Sequence, residues 1–325
     1  MRAWQVQRHG APRDALRLVE IDEPTPGPGE VRLRVSAAAI GMPDAFMCQS
    51  TYALTPPLPF VPGQEVCGVV DAVGPDVDIA LGTRIMAVTS FTDGRGGFAE
   101  STIVRAVSAF RVPADMSDVD AAGFRIGFST AWIGLVRRGA LREGEWLLVL
   151  GAAGGSGATA VQLGRALGAR VIAVASGADK VAFCRRMGAD VVIDRSVESV
   201  PEAVRAATGD HGADVIYDPV GGEPAEASLR CIAPFGRLLA VGFASGRWVK
   251  VDTVHAVRRN YSLVGVYAGG FTRQEAEDDH EALLALAAQS KLTSFAHTAP
   301  FSALPDAVEA VANGTVIGKT VVTFG

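Results

Sequence analysis

The chain has 325 residues, of which 49% are apolar, and a formal net charge of −5. Its length suits two domains, and its mild acidity gives no general electrostatic case for nucleic acid or an anionic membrane as partner. The four cysteines are scattered without a CxxC, the usage of reduced thiols, and no run approaches the ~20 apolar residues of a membrane span, so a cytoplasmic location is expected. The opening Met1-Arg2-Ala3-Trp4-Gln5-Val6 also lacks the apolar core of a signal peptide.

Residues 1–122 read as mostly β. Val31-Arg32-Leu33-Arg34-Val35 alternates as a half-buried strand does. Clusters such as Pro24-Thr25-Pro26-Gly27-Pro28-Gly29 and Pro56-Pro57-Leu58-Pro59 punctuate the strands. The pattern changes near Ala121. From Trp146, apolar strands alternate with helices: Trp146–Leu150, Val171–Ala175, Val191–Ile193, Asp214–Tyr217 and Leu238–Val241 are the strands. That alternation predicts an α/β fold with a doubly wound parallel sheet over 123–263. Thr272-Arg273-Gln274-Glu275 fits a capping box at the start of a long helix. The segment 264–325 ends in a strand-like run, Thr320–Phe324, and is expected to return to the first domain because it is too short to bury a core alone.

The organising stretch is Trp146-Leu147-Leu148-Val149-Leu150-Gly151-Ala152-Ala153-Gly154-Gly155-Ser156-Gly157. Strand, glycine turn and helix in succession present backbone N–H groups and a positive helix end to a pyrophosphate. Ala152, Gly154 and Gly157 stand at the three glycine positions of G-x-G-x-x-G, so the first position departs from the pattern. Ala153, Gly154, Gly155, Ser156 and Gly157 are the candidate cofactor residues of this turn.

With Pro57–Glu65, Gly96-Gly97-Phe98-Ala99-Glu100, Ser129-Thr130-Ala131-Trp132, Asp214–Gly222, Val241–Gly246 and Gly318-Lys319 in the same order, the whole chain resembles the medium-chain dehydrogenase/reductase superfamily, in its zinc-independent quinone oxidoreductase branch. The resemblance implies a GroES-like β-rich catalytic domain, a Rossmann domain, a cleft between them and a homodimer. Metal-dependent relatives carry a cysteine just before the Asp44 region and a histidine between Gly63 and Glu65. Here Gly41 and Gln64 stand there, and the cysteine-rich lobe is missing. Glycine offers no ligand atom and glutamine is a poor one for zinc, so no metal is expected.

NAD sites place an acid at the tip of the second strand, for the ribose 2′-OH. This strand ends Ala175-Ser176-Gly177-Ala178-Asp179-Lys180. Ser176 and Gly177 with Lys180 suit a 2′-phosphate instead, and the resemblance gives the residue matching Lys180 that role. Arg195 stands where many relatives have tyrosine, and is a secondary candidate that can pair with phosphate or face Asp194. NADPH is therefore the expected cofactor. Val220 and Gly221, and Gly242, Phe243 and Ala244, follow strands and fall at the ligand-binding edge of the sheet. Val266, Tyr267 and Ala268 are expected to approach the nicotinamide. The resemblance puts Asp44 and Thr130 on the nicotinamide side and brings Tyr52 to the pocket from a proline-flanked loop.

Hydride transfer belongs to the nicotinamide, and the acceptor's developing oxyanion needs a donor or a water. Tyr52 is the candidate donor. Gly41, which replaces an asparagine common in relatives, Tyr52, Phe128, Tyr267 and Phe271 form the candidate substrate pocket. The leading expectation is an NADPH-dependent reductase of quinones or α,β-unsaturated carbonyls. The alternatives are an enoyl-thioester reductase, for which no basic cluster is evident, and a low-turnover NADPH-binding regulatory or structural protein. A homodimer through the dinucleotide domain is expected, with Leu238–Phe243 as a pairing edge.

Overall fold

A computed structural model of the chain describes residues 1–324. The chain folds as two compact units, Met1–Ile126 with Ser294–Gly325, and Gly127–Thr293. The strands in chain order are β1 (Arg2–Val6), β2 (Leu16–Glu20), β3 (Glu30–Ala39), β4 (Glu65–Val73), β5 (Arg84–Val88), β6 (Ser101–Arg105), β7 (Ala109–Arg111), β8 (Trp146–Val149), β9 (Arg170–Ala175), β10 (Val191–Asp194), β11 (Ala213–Asp218), β12 (Ile232–Ala240), β13 (Ser262–Gly265), β14 (Ala296–Pro300) and β15 (Lys319–Thr323).

In the first unit a seven-stranded sheet runs β14-β15-β3-β4-β5-β7, with β6 also on β3, and β1 pairs with β2. Its central strand behaves as the alternation predicts: Val31, Leu33 and Val35 are buried and Arg34 is exposed. The returning strand β15 joins antiparallel to β3, Val321 opposite Ala39, which places Lys319 and Thr320 beside the loops that carry the site. Phe60, Phe98, Met47 and Val66 fill the core beneath those loops.

The second unit holds a six-stranded sheet in the order β10-β9-β8-β11-β12-β13, with every pair parallel. This is the doubly wound order with its reversal between β8 and β11, the crevice where such sheets bind ligands. Leu147, Leu148 and Val149 are all buried, as a central strand covered on both faces requires. The capping box at Thr272 forms: the Thr272 hydroxyl accepts from the Glu275 N–H, and the Glu275 carboxylate accepts from the Thr272 N–H at 2.9 Å.

Two expectations are corrected. The second crossing lies at residues 293/294 rather than near 264. Residues 264–293 stay with the parallel sheet because β13 pairs with β12 through Gly265, the Val266 N–H donates to the Ala240 carbonyl at 3.0 Å, and Arg137 holds Asp279 at 2.8 Å from helix Arg273–Ala288. The first crossing falls inside helix Asp118–Trp132, a few residues after the expected 122/123. The run Leu238–Phe243 is not an edge either. Its strand β12 lies between β11 and β13, with Leu238 and Leu239 fully buried. The edges are β10 and β13; at β13 Leu263 is 52% exposed, with Val254 and Val257 exposed on the preceding helix Thr253–Arg259.

Candidate active site

The glycine turn after β8 enters helix Gly155–Ala166, with Gly154 as N-cap. A Cβ on Gly157 would stand 2.3 Å from the Gly151 carbonyl oxygen and 2.6 Å from the Ala152 Cα, so only glycine fits. Gly151 takes the left-handed conformation at φ 58°, one residue before the position where the fingerprint's first glycine is wanting. Ala152 and Ala153 are buried, while Gly154, Gly155 and Ser156 are half-buried at the helix start. The N–H groups of Gly155 and Ser156 open the helix, where a pyrophosphate binds such helix ends, while that of Gly154 donates to the Gly151 carbonyl at 3.0 Å. The Ser156 hydroxyl lies 3.1 Å from the hydroxyl of the fully buried Tyr217.

At the tip of β9 the chain turns through Gly177, at φ 84°, into helix Ala178–Arg186. Arg195 arrives here from the end of β10. Its N–H donates to the Ala175 carbonyl at 2.9 Å, and its Nε donates to the Ser176 hydroxyl at 2.7 Å. Ser176 and Arg195 therefore meet, while Lys180 lies half-buried in the first turn of that helix. Asp194 Oδ1 accepts from the N–H of Gly177 at 3.1 Å and from Ser196, and these bonds hold its carboxyl below the usual range.

Two further loops are laced together at the same sheet edge. Asp218, at the end of β11, accepts from the N–H of Val220 at 2.9 Å and of Gly221 at 2.8 Å, and burial pushes its pKa up to about 6. The Ser245 N–H donates to the Val220 carbonyl at 2.8 Å. Gly242 packs so closely on Pro219 that a Cβ would lie 2.9 Å from its carbonyl oxygen. Phe243 is half-buried with its ring 4.9 Å from that of Trp248, and Ala244 is exposed. Val266 is buried beside Gly134, while Tyr267 is 68% exposed with its ring over Gly269, and Ala268 is exposed. Phe128 is buried, Thr130 half-buried, and Phe271 lies under the Arg137 guanidinium at 5.3 Å. Of the three aromatics besides Tyr52 in the expected substrate pocket, Phe128 is buried, Tyr267 folds on its own loop and Phe271 lies under a cation.

The first unit supplies a second constellation. Asp44, in helix Met42–Cys48, is 1% exposed. Its two oxygens accept from the N–H of Gly41 at 2.8 Å and of Gly63 at 3.0 Å. Burial raises its pKa to about 6 against the pull of those bonds and of Lys319. Asp44 thus ties the two glycine loops together from a buried position. Glu65, also buried, accepts from the Ile126 N–H at 2.6 Å and pairs with Lys319 at 3.1 Å. Tyr52 is half-buried against this unit's core. The Asp194 clamp and the Ser156–Tyr217 pair escaped sequence reading. For Asp194 the signal is present, an aspartate at a strand tip followed two residues later by serine.

Gly41 and Gln64 do not fit a zinc ion, and among the described residues no group of three His, Cys, Asp or Glu side chains comes together that could hold a metal. The four cysteines are free and buried. Among the described residues no helix is long and apolar enough to cross a membrane.

Residues 27–114 match the family described as alcohol dehydrogenase GroES-like domain, and residues 155–288 the family described as zinc-binding dehydrogenase. The quinone oxidoreductase-like protein 2 homolog of Nematostella vectensis is 35% identical over 77% of this chain and 68% of its own. A 2-haloacrylate reductase of a Burkholderia species is 33% identical over 74% of this chain and 73% of its own. A mycobacterial protein solved in complex with NADPH superimposes with a TM-score of 0.92 at 29% identity, over 99% of this chain and all of that one. With the glycine turn, the Ser176–Arg195 pair and the parallel sheet in place, these likenesses show an NADPH-binding oxidoreductase, and the chain belongs to the quinone oxidoreductase branch of the medium-chain dehydrogenase/reductase superfamily.

Proposed function

We propose that this protein reduces quinones or α,β-unsaturated carbonyls with NADPH, without a metal. The observation that carries the cofactor half is the contact of Arg195 Nε with Ser176 Oγ at the tip of β9, where an NAD site would hold an acid. For the acceptor half, Gly41 and Gln64 stand at the two ligand positions, which leaves carbonyl polarisation to hydrogen bonding. The names of the relatives agree, one being a quinone oxidoreductase-like protein and another a reductase of a haloacrylate.

When bound, NADPH supplies the hydride. In this reading the turn of Ala153, Gly154, Gly155, Ser156 and Gly157 receives its pyrophosphate, and Ser176, Gly177, Lys180 and Arg195 hold the 2′-phosphate. Val220, Gly221, Gly242, Phe243 and Ala244 border the cofactor, and Val266, Tyr267, Ala268 and Thr130 flank its nicotinamide. Asp44 positions the Gly41 and Gly63 loops, and Tyr52 borders the acceptor on the first unit. The protein acts as a homodimer joined along β13, through Leu263 and the exposed Val254 and Val257.

Steady-state NADPH oxidation against a panel of ortho- and para-quinones, enals, 2-haloacrylates and enoyl thioesters tests the reading. Quinones and enals should be turned over. Turnover of enoyl thioesters alone would replace it with the thioester reductase, and cofactor binding with no turnover would leave a regulatory binding protein.

A further inference from the structure

The chain passes between its two units twice, at 126/127 and at 293/294. Each passage is fastened on both sides. Before 126/127, the Ile126 N–H donates to Glu65 at 2.6 Å, although Ile126 lies inside helix Asp118–Trp132. A side chain that takes an interior N–H of a helix marks a point where helices bend. After it, the Gly127 carbonyl accepts from the Thr159 hydroxyl at 3.2 Å, and a Cβ on Gly127 would stand 2.9 Å from Thr159 Cγ2. At the second passage Gln162 grips Thr293: its Oε1 accepts from the Thr293 N–H at 2.6 Å and hydroxyl at 3.2 Å, and its Nε2 donates to the Thr293 carbonyl at 3.2 Å. One residue on, the Ser294 hydroxyl donates to Asp120. Every one of these bonds lies within a single unit, so the freedom to bend is left to the two peptide links.

On the side of the second unit, both fastenings come from one element. Thr159 and Gln162 stand three residues apart on helix Gly155–Ala166, hence on one face of it, and both are buried. Burying a carboxamide is costly unless its bonds are met, and Gln162 spends its bonds on the backbone of Thr293. The same helix begins at the glycine turn. Thr159 shares its hydroxyl proton with the Ser156 carbonyl in the first turn, at 2.7 Å. One helix therefore carries the cofactor turn at its head and the hold on both passages along its length.

We propose that helix Gly155–Ala166 is the common anchor of the two passages, with Gln162 and Thr159 as positioning residues, and that NADPH held at its first turn stiffens both links through it. This rests on the pyrophosphate reading above. The first N–H groups of a helix have no partner within it, so the opening turn is its loosest part until a ligand takes them. Ordering that turn orders Ser156, and through it Thr159 and the Gly127 carbonyl. The helix carries the same order on to Gln162 and Thr293. Binding that removes local freedom at one place lowers it at the places rigidly joined to it.

Amide hydrogen exchange over residues 124–128 and 290–295 of the whole protein, with and without saturating NADPH, tests the anchor. In the wild type, NADPH should slow exchange in both segments about tenfold. Gln162→Met keeps the length of the side chain and removes its grip on Thr293. In the free variant the Thr293 amide should exchange about tenfold faster, the scale of one hydrogen bond. NADPH should no longer slow it, while residues 124–128 still respond and the amides of β8 and β11 stay as in the wild type. The anchor is overturned by a wild type in which bound NADPH protects neither segment, by a variant in which NADPH slows Thr293 as before, or by faster exchange spread equally through β8 and β11. The wild-type arm decides by itself should the variant not fold. Fluorescence titration reports NADPH occupancy independently. If the wild type binds no NADPH, the cofactor reading fails, and faster exchange confined to Thr293 in free Gln162→Met would leave the anchor standing without its ligand.

Discussion

Replacing Arg195 with alanine tests the cofactor site most directly. The guanidinium touches Ser176 through Nε, which leaves its other N–H donors for a phosphate. A hydrogen bond to a charged group contributes about 1.5–3 kcal/mol. Arg195 is exposed, so water screens part of that, and a loss of about 1–2 kcal/mol is expected. The NADPH Kd should therefore rise about 5- to 30-fold. NADH has no 2′-phosphate and its Kd should move less than about twofold. Since a partly exposed ion pair weakens as the Debye length shrinks, the gap between Arg195→Ala and wild type should narrow when ionic strength rises from about 0.05 to 0.5 M. Lys180→Ala should behave alike, and Ser176→Ala should cost less because its bond is neutral. The assay is titration of the bound cofactor's fluorescence with NADPH and NADH at both salt concentrations. Equal losses for the two cofactors would refute the 2′-phosphate assignment, and so would a gap indifferent to salt.

Asp44 and Asp218 have pKa values raised to about 6 by burial. Each therefore contributes stability at acid pH that is lost as pH rises from about 4 through about 6. Asp44→Asn gives up one N–H acceptor, so at pH 5 it should be less stable than wild type by about 1–2 kcal/mol in urea melts. That deficit should shrink as pH passes 6, and a constant deficit from pH 5 to 8 would contradict the linkage. Leu263→Lys should convert a dimer to a monomer by light scattering at micromolar concentration, since it places a charge on the free edge β13; a wild type already monomeric would remove the dimer. Prolonged chelation should leave NADPH oxidation unchanged, and stoichiometric zinc with activity lost on its removal would overturn the metal-free reading. Gly41→Asn should reduce activity with bicyclic quinones more than with benzoquinone, because its Cβ would already meet Pro43 Cδ at 3.2 Å.

Most of the fold was legible because its signals are local. Five of the six parallel strands announce themselves as short apolar runs ahead of glycine or polar turns, and the glycine fingerprint follows β8 directly. The expected pairing edge Leu238–Phe243 proves interior because an apolar run carries no sign of its place in the sheet. Leu238 and Leu239 look like edge material in sequence and are interior. The return point was misplaced because helix Arg273–Ala288 is held by partners far away in sequence, Arg137 above all. Site residues whose work is backbone-based, Gly151, Gly157 and Gly221, could be read from glycine alone. Tyr267 and Phe271 could not, because whether an aromatic lines a pocket or covers its own loop depends on neighbours such as Gly269 and Arg137.

Three aspartates perform one task at three loops of this protein. Asp44 takes the N–H groups of Gly41 and Gly63, Asp194 those of Gly177 and Ser196, and Asp218 those of Val220 and Gly221. Each loop contains a glycine in the left-handed region: Gly63 at φ 101°, Gly177 at 84° and Gly221 at 68°. Glycine gives the chain that conformation and the close approach it allows, but it also leaves the loop free to take others. A carboxylate accepting two N–H groups restores the single conformation without adding bulk to the surface the ligand must reach. The burden falls differently by depth. Asp194, near solvent, has its pKa lowered, whereas Asp44 and Asp218, buried, have theirs raised, so they hold their loops against their own desolvation. With the loops fixed from behind in this way, recognition of the cofactor is left, in the reading proposed above, to side chains such as Arg195 and Ser176. Substitution at those residues should change what binds, and substitution at the aspartates should change whether the loops are there to bind it.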